Sequence, residues 1–304
     1  MFFNKKISDN SIGMLLYLLA MLTTALLNIF GKKVIVLYHL PIWEVLFLRQ
    51  ILIIIFLLPL MIKMKFNFFD KTAFKPNVIR SIFFSFSTFL IYSGMSRVPL
   101  NSATAITFIF PILASILSVK ILKEKTSKFI WFALIIAMLG TLIMKPPSFS
   151  SENIIGYTAL FVFVFVRAIV VIMQKQMASK FDTMIMLFYT HIIMLLVPLF
   201  FFFQFKPVPI EALGYIVLLS FLFFIEYYLI LKAYKFALAV KLQPLNFSRL
   251  LFVMILSPLI IGEETTIQQF IGAMVILFGF ILVLFDHKKQ NRNKKAYKLI
   301  RCYY

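Results

Sequence analysis

The sequence predicts an all-α polytopic membrane protein whose ten transmembrane helices form two inverted five-helix repeats. Three observations predict it. The 304 residues are 62% hydrophobic and only 14% charged, with a mean hydropathy of +0.98. The apolar residues gather into ten runs, and the second half of the chain echoes the first at a fixed offset. Soluble domains are about 25% charged and cannot hide this much apolar surface. A bilayer can, at about 20 apolar residues per spanning helix.

The runs cover 12–30, 43–62, 78–96, 101–119, 128–144, 156–174, 183–203, 212–231, 241–261 and 267–285. In hydrocarbon each backbone polar group must be satisfied within the protein, and these runs are too long and too unalternating for barrel strands, so they are helices. The first follows Lys5 and Lys6 as a signal peptide would. It is too long for an h-region and no small-x-small cleavage site closes it, so it is expected to be retained. The second carries Arg49 and Pro59, and the third ends near Tyr92. The fourth opens on the small, polar "NSATAIT" (Asn101 to Thr107), best explained by helix–helix packing, and contains Pro111. The sixth, "FVFVFVRAIVVIMQK", buries Arg167, and the seventh holds Tyr189, His191 and Pro198. The eighth carries Glu226 beside Tyr227 and Tyr228. The ninth holds Gln243, Pro244, Asn246, Arg249 and Pro258. Pro111, Pro244 and Pro258 are expected to break helices and free backbone carbonyls.

Net charge is +20 and the isoelectric point about 10.0. In a soluble chain this balance would point to nucleic acid. Here the basic residues sit in short loops, and they set orientation instead. With the N-terminus cytosolic, 23 Lys and Arg, Arg80 among them, fall on the cytosolic side and 5 on the other, leaving Arg49, Arg167 and Arg249 inside the membrane. Both termini are then cytosolic. The tail "KKQNRNKKAYKLIR" suits anionic lipid headgroups. Cys302 lies in that tail and has no partner for an internal disulfide.

An offset of 139 pairs Glu124 with Glu263, Thr126 with Thr265, Gly140 with Gly279 and Pro59 with Pro198, and an offset of 143 pairs Gly13 with Gly156 and Lys32 with Lys175. Five is odd, so the second half enters the membrane inverted, as in secondary transporters with a substrate site between the halves. The expected division is an N-terminus of 1–11, repeats over 12–144 and 156–285, and a basic tail over 286–304.

The segments "VPLNSATAITFIFPILASILSVKILKEK…GTLIM" and "FALAVKLQPLNFSRLLFVMILSPLIIGEE…GFILV", with the arginine of "EVLFLRQ", resemble the EamA family of the drug/metabolite transporter superfamily over residues 12–285. Within it, "MQKQMASKFDTMIMLFYTHIIMLLVPL" and "KPPSF" are most similar to S-adenosylmethionine uptake permeases of rickettsia-like intracellular bacteria. The resemblance implies solute transport across a cytoplasmic membrane without ATP or a bound cofactor.

Intramembrane ionisable residues are costly and usually face a bundle interior or a watery cavity. At about 1.5 Å per residue, Arg167, Glu226 and Arg249 share a layer about 9–12 Å from the cytosolic boundary. His191 lies at a similar level, and Arg49 nearer the outer side. Two structural explanations compete with a pathway role: Glu226 neutralising Arg167 or Arg249 in a buried pair, and arginines reaching back to headgroups. Three arginines against one glutamate leave an excess of positive charge, and an arginine fork suits a carboxylate. His191 is the candidate for proton coupling. Tyr92, Tyr189, Tyr227 and Tyr228 offer faces for a cationic group, and Asn28, Gln243 and Asn246 are further polar candidates. Glu124, Glu263 and Glu264 read as capping or loop-pairing residues.

The expected function is alternating-access metabolite transport, with S-adenosylmethionine uptake foremost. Export of amino acids or related zwitterions is the second reading, and a membrane-embedded lipid-handling enzyme the third. The enzyme would need acid–base residues in long loops, and these loops are short. There is no zinc spacing, phosphate loop or nucleophile–base cluster. Expected partners are a small-molecule metabolite, anionic lipid headgroups at the basic loops and tail, and possible homodimer formation, with no cofactor, metal or nucleic acid.

Overall fold

The computed structural model describes residues 9–63, 65, 71–148, 153–199, 208–262 and 264–303, with only the backbone beyond 285. Lys5, Lys6 and Glu263 lie outside the described residues. The elements are α1 (Asp9–Tyr38), α2 (Ile42–Lys63), α3 (Lys71–Met95), α4 (Leu100–Thr107), α5 (Phe110–Ile121), α6 (Lys128–Met144), α7 (Ile154–Ala178), α8 (Thr183–Leu199), α9 (Ile210–Phe236), α10 (Ala239–Leu242), a 3-10 turn (Gln243–Phe247), α11 (Ser248–Ile261) and α12 (Ile267–Tyr303).

Taking α4 with α5 and α10 with α11 as single spans, eight are long and apolar enough to cross a bilayer. Two shorter apolar helices, Lys128–Met144 and Thr183–Pro198, bring the described spans to ten. No strand occurs among the described residues. Large apolar side chains face outward on most helices, among them Ile155 (76% exposed), Leu259 (77%) and Phe132 (57%). In water such a surface would aggregate; in a bilayer it is the lipid belt.

Two spans are broken, and they occupy the same place in each half. Phe108 and Ile109 interrupt the fourth, with Pro111 in the opening turn of α5, where its missing N–H is no loss. The 3-10 turn interrupts the ninth, with Pro244 in its first turn. Pro258 departs from expectation. It lies inside the continuous helix α11, as Pro59 lies inside α2 and Pro198 inside α8. The helix α1 runs eight residues beyond the expected end of the first span, and α12 continues without a break from the tenth span into the tail.

The halves repeat each other's packing. Gly13 lies so close to α9 and the residue after it that an added Cβ would sit 2.5 Å from Ala237 Cβ and 3.0 Å from Ala233 O. Gly156, its mate at offset 143, meets Val98 and the carbonyl of Gly94, which are the mates of Ala237 and Ala233 at offset 139. Gly140 abuts Gly272 and Ile276, and its mate Gly279 abuts their mates Ala133 and Ala137. Thus α6 and α12 form a seam of small residues in which the two backbones nearly touch. That is the usual way helices associate where lipid removes the hydrophobic drive. Where the two broken spans meet, Phe108 packs on its own mate, Phe247, at 5.1 Å between centroids. Five spans per half then make the second half the inverted copy of the first.

Candidate functional site

Small, buried residues of α4 surround the first break. Ser102, Ala103, Thr104, Ala105, Ile106 and Thr107 are all buried. Thr104 Oγ1 donates to Leu100 O and Thr107 Oγ1 to Thr104 O, so these hydroxyls bond within their own helix. The second break is polar. Tyr17 on α1 donates its hydroxyl to Asn246 Oδ1 at 3.0 Å, and Asn246 Nδ2 donates to Gln243 O and Oε1. The rings of Tyr17 and Tyr234 meet edge to face at 6.0 Å.

Glu226 on α9 faces α1, where Thr24 Oγ1 donates to its Oε1 at 2.7 Å. Arg167, Arg49 and Arg249 all act on this carboxylate through their charge. Each guanidinium lies over a phenylalanine of the other half: Arg49 over Phe223 at 4.0 Å, Arg167 over Phe84 at 4.6 Å and Arg249 over Phe108 at 4.2 Å. A ring face attracts a cation without neutralising it. The arginines are therefore held in place with their charge available, which a tight ion pair with Glu226 would not allow. Phe84 and Phe223 are themselves mates at offset 139.

Four candidates separate from this layer. His191 is fully buried, with Nδ1 2.6 Å from Gln50 Oε1 and its ring against Phe223 and Tyr227. Tyr227 offers its hydroxyl as a hub to Arg80 at 2.6 Å and Gln174 at 2.9 Å. It is not an open face for a cation. Tyr92 packs edge to face on Trp43 at 6.1 Å near the end of α3 and does not join the charged layer. Asn28 is exposed, one helical turn beyond Thr24 on the same face of α1. Of the other tyrosines, Tyr189 packs against Phe74 and Phe188. Tyr228 stacks on Phe224 and lies under the Lys232 ammonium.

Arg80 overturns its assignment to a loop. It is fully buried inside α3, bonded to Tyr227 Oη, Met186 O and Thr190 Oγ1. The basic side therefore holds one residue fewer than expected, and the membrane interior holds a fourth arginine. Gln50, Gln174, Thr24, Tyr17 and Tyr234 were likewise missed. Each is an unremarkable residue in an apolar run, and only its partner across the interface gives it a role.

On the basic side the halves are fastened together. The buried carboxylate of Glu124 accepts from the backbone N–H groups of Ala239 and Val240, both at 2.9 Å. Within the second half, Lys175 Nζ donates to Tyr234 O and Ala237 O, both at 2.7 Å. Glu124 is thus a cap, but for the helix α10 of the other half, while Glu264 is exposed. Leu46, Gln50, Thr88, Met194, Val197 and Pro198 line a shallow surface cleft. Among the described residues no group of three His, Cys, Asp or Glu side chains is placed to hold a metal.

Curated relatives extend over nearly the whole chain. It is 26% identical over 290 residues to the S-adenosylmethionine uptake transporter of Rickettsia prowazekii (strain Madrid E), covering 93% of this chain and 95% of that protein. It is 24% identical over 296 residues to that of Rickettsia bellii (strain RML369-C), covering 96% and 99%. A solved crystal structure shares the fold at a TM-score of 0.79 and 14% identity, covering 90% of this chain and 97% of the other. The EamA-like transporter family matches twice, over residues 11–145 and 154–285. Those two matches together span most of the protein, and the chain belongs to the EamA-like transporter family, a membrane transporter rather than an enzyme.

Proposed function

We propose that the chain is a secondary-active permease of the inner membrane, both termini cytosolic, that takes up S-adenosylmethionine by alternating access between halves 12–144 and 156–285. The observation that carries this reading is the layer between the halves: one carboxylate, Glu226, among arginines held by ring faces rather than by ion pairs. S-adenosylmethionine has the matching groups. Its carboxylate suits a guanidinium fork, and its ammonium or sulfonium suits Glu226. The basic tail meets anionic headgroups, and a homodimer is compatible with the outward-facing apolar surface.

The experiment is uptake of radiolabelled S-adenosylmethionine into cells expressing the chain, beside a panel of labelled amino acids. Saturable S-adenosylmethionine uptake, competed by the unlabelled compound, is expected. Uptake equal to that of empty cells, with export of an amino acid instead, would establish the second reading.

Orientation follows separately. A reporter fused after Tyr304 is expected to be active only when it reports the cytosol. Activity on the outer face would require an odd number of spans and would remove this topology.

A further inference from the structure

The geometry points to a second, anion-binding site between α2, α3 and α8, built from Arg49, Gln50 and Arg80 and positioned by His191, for a carboxylate-sized anion. Arg80, Gln50 and His191 are fully buried and Arg49 is 7% exposed. The terminal nitrogens of Arg80 are spent on Tyr227 Oη, Met186 O, Thr190 Oγ1 and, at longer range, Asn77 and Ser81. All of these partners are neutral. A guanidinium keeps its proton in proteins, so Arg80 is a full charge in the membrane interior that no carboxylate among the described residues contacts. Burying a charge without a counter-charge is costly.

Three of the four unspent side-chain nitrogens of this cluster share one chemistry, the fourth being His191 Nε2. Arg49 Nε, Arg80 Nε and Gln50 Nε2 are buried and have no hydrogen-bond partner, and all three are N–H donors. His191 Nδ1 lies 2.6 Å from Gln50 Oε1. That bond fixes the amide with its NH2 group free, and the His191 ring lies within electrostatic reach of both Arg49 and Arg80. The aromatic ladder Phe223–Tyr227 ties the cluster together: Arg49 lies over Phe223, Arg80 bonds Tyr227, and His191 touches both rings. Glu226 reaches Arg49 by charge, but it is hydrogen-bonded to Thr24 on α1 and contributes no bond here. Gln50 also lines the shallow cleft described above, so the cluster borders the bundle's edge. One small anion between Arg49 and Arg80 supplies the counter-charge that this cluster lacks.

The anion is either the solute's own carboxylate or a free anion, and the test separates the two. Purified full-length protein in lipid nanodiscs is titrated with sodium formate and sodium chloride, with sodium gluconate, which is too bulky for the cluster, as the ionic-strength control. Thermal unfolding is followed by tryptophan fluorescence. Formate is expected to raise the midpoint saturably, and Gln50→Leu or Arg80→Gln to raise its half-saturating concentration about tenfold. If the solute's carboxylate is the occupant, formate competes with labelled S-adenosylmethionine and spares binding of its decarboxylated analogue. If a free anion is the occupant, formate strengthens binding of both. The formate titration stands without the S-adenosylmethionine reading, so failure of that substrate leaves it intact. No midpoint shift beyond gluconate in the unaltered protein, or an unchanged formate dependence in Gln50→Leu, overturns the proposal. Should Arg80→Gln fail to insert, those two measurements still decide it.

Discussion

Glu226→Gln is expected to lower transport of a cationic or zwitterionic solute by roughly 10- to 100-fold, the loss that follows when a charge-assisted hydrogen bond becomes a neutral one. Gln preserves the shape and the oxygen that accepts from Thr24, so folding is expected to survive and the change isolates charge. Arg167→Lys is expected to impair transport as well, because an ammonium loses both the planar fork and its stacking over Phe84. The check is initial uptake rate in vesicles, normalised to inserted protein judged by size-exclusion chromatography. The double change Glu226→Gln with Arg167→Gln separates site from scaffold. If it restores near-normal transport, the two residues merely balance one another and the site lies elsewhere.

Gly272→Leu is expected to destabilise the protein by about 3 kcal/mol or more, at the upper end of the usual cost of overpacking. Even a Cβ at this position would sit 2.4 Å from Met144 Cγ and 2.6 Å from Gly140 O. The carbonyl belongs to α6 and cannot swing aside as a side chain can, so α6 and α12 must separate. Gly214→Ala is the control, since a Cβ there meets nothing within 4 Å. Thermal unfolding in detergent measures both. A Gly272→Leu midpoint equal to that of Gly214→Ala would show that the seam does not hold the halves together.

The spans were legible because hydrocarbon thickness imposes their length, and the repeat because Gly13, Gly140, Gly156 and Gly279 stand where two backbones touch. A larger residue there would force the helices apart, so the glycine pattern records the packing. The interruption of the fourth and ninth spans was legible from Pro111 and Pro244. Pro258 was not distinguishable from them by sequence, because tolerance of a proline inside a helix depends on what surrounds the freed carbonyl. Arg80 was misplaced for a different reason. It follows Lys71 and Lys75 closely enough to read as the end of a basic loop, and only α3, which begins at Lys71, carries it inward. The charged layer was legible in Arg167, Glu226 and Arg249. What stacks on those arginines was not, since every ring involved lies in the opposite half of the chain.

The repeat positions that correspond to Arg167, Glu226 and Arg249 are Thr24, Ser87 and Phe110. Thr24 itself reaches the charged layer, donating to Glu226 at 2.7 Å, so at equivalent places of one frame the first half presents hydroxyl and ring where the second presents guanidinium and carboxylate. A carrier with its charges on the symmetry axis would look the same to a solute arriving from either face. In this one the equivalent positions of the two halves differ in charge, so exchanging the halves does not reproduce the site. Under the proposed alternating access, the two open states are then expected to hold the solute with unequal strength. Half-saturating concentrations measured from the two faces are expected to differ accordingly, while the final distribution is still fixed by the gradient.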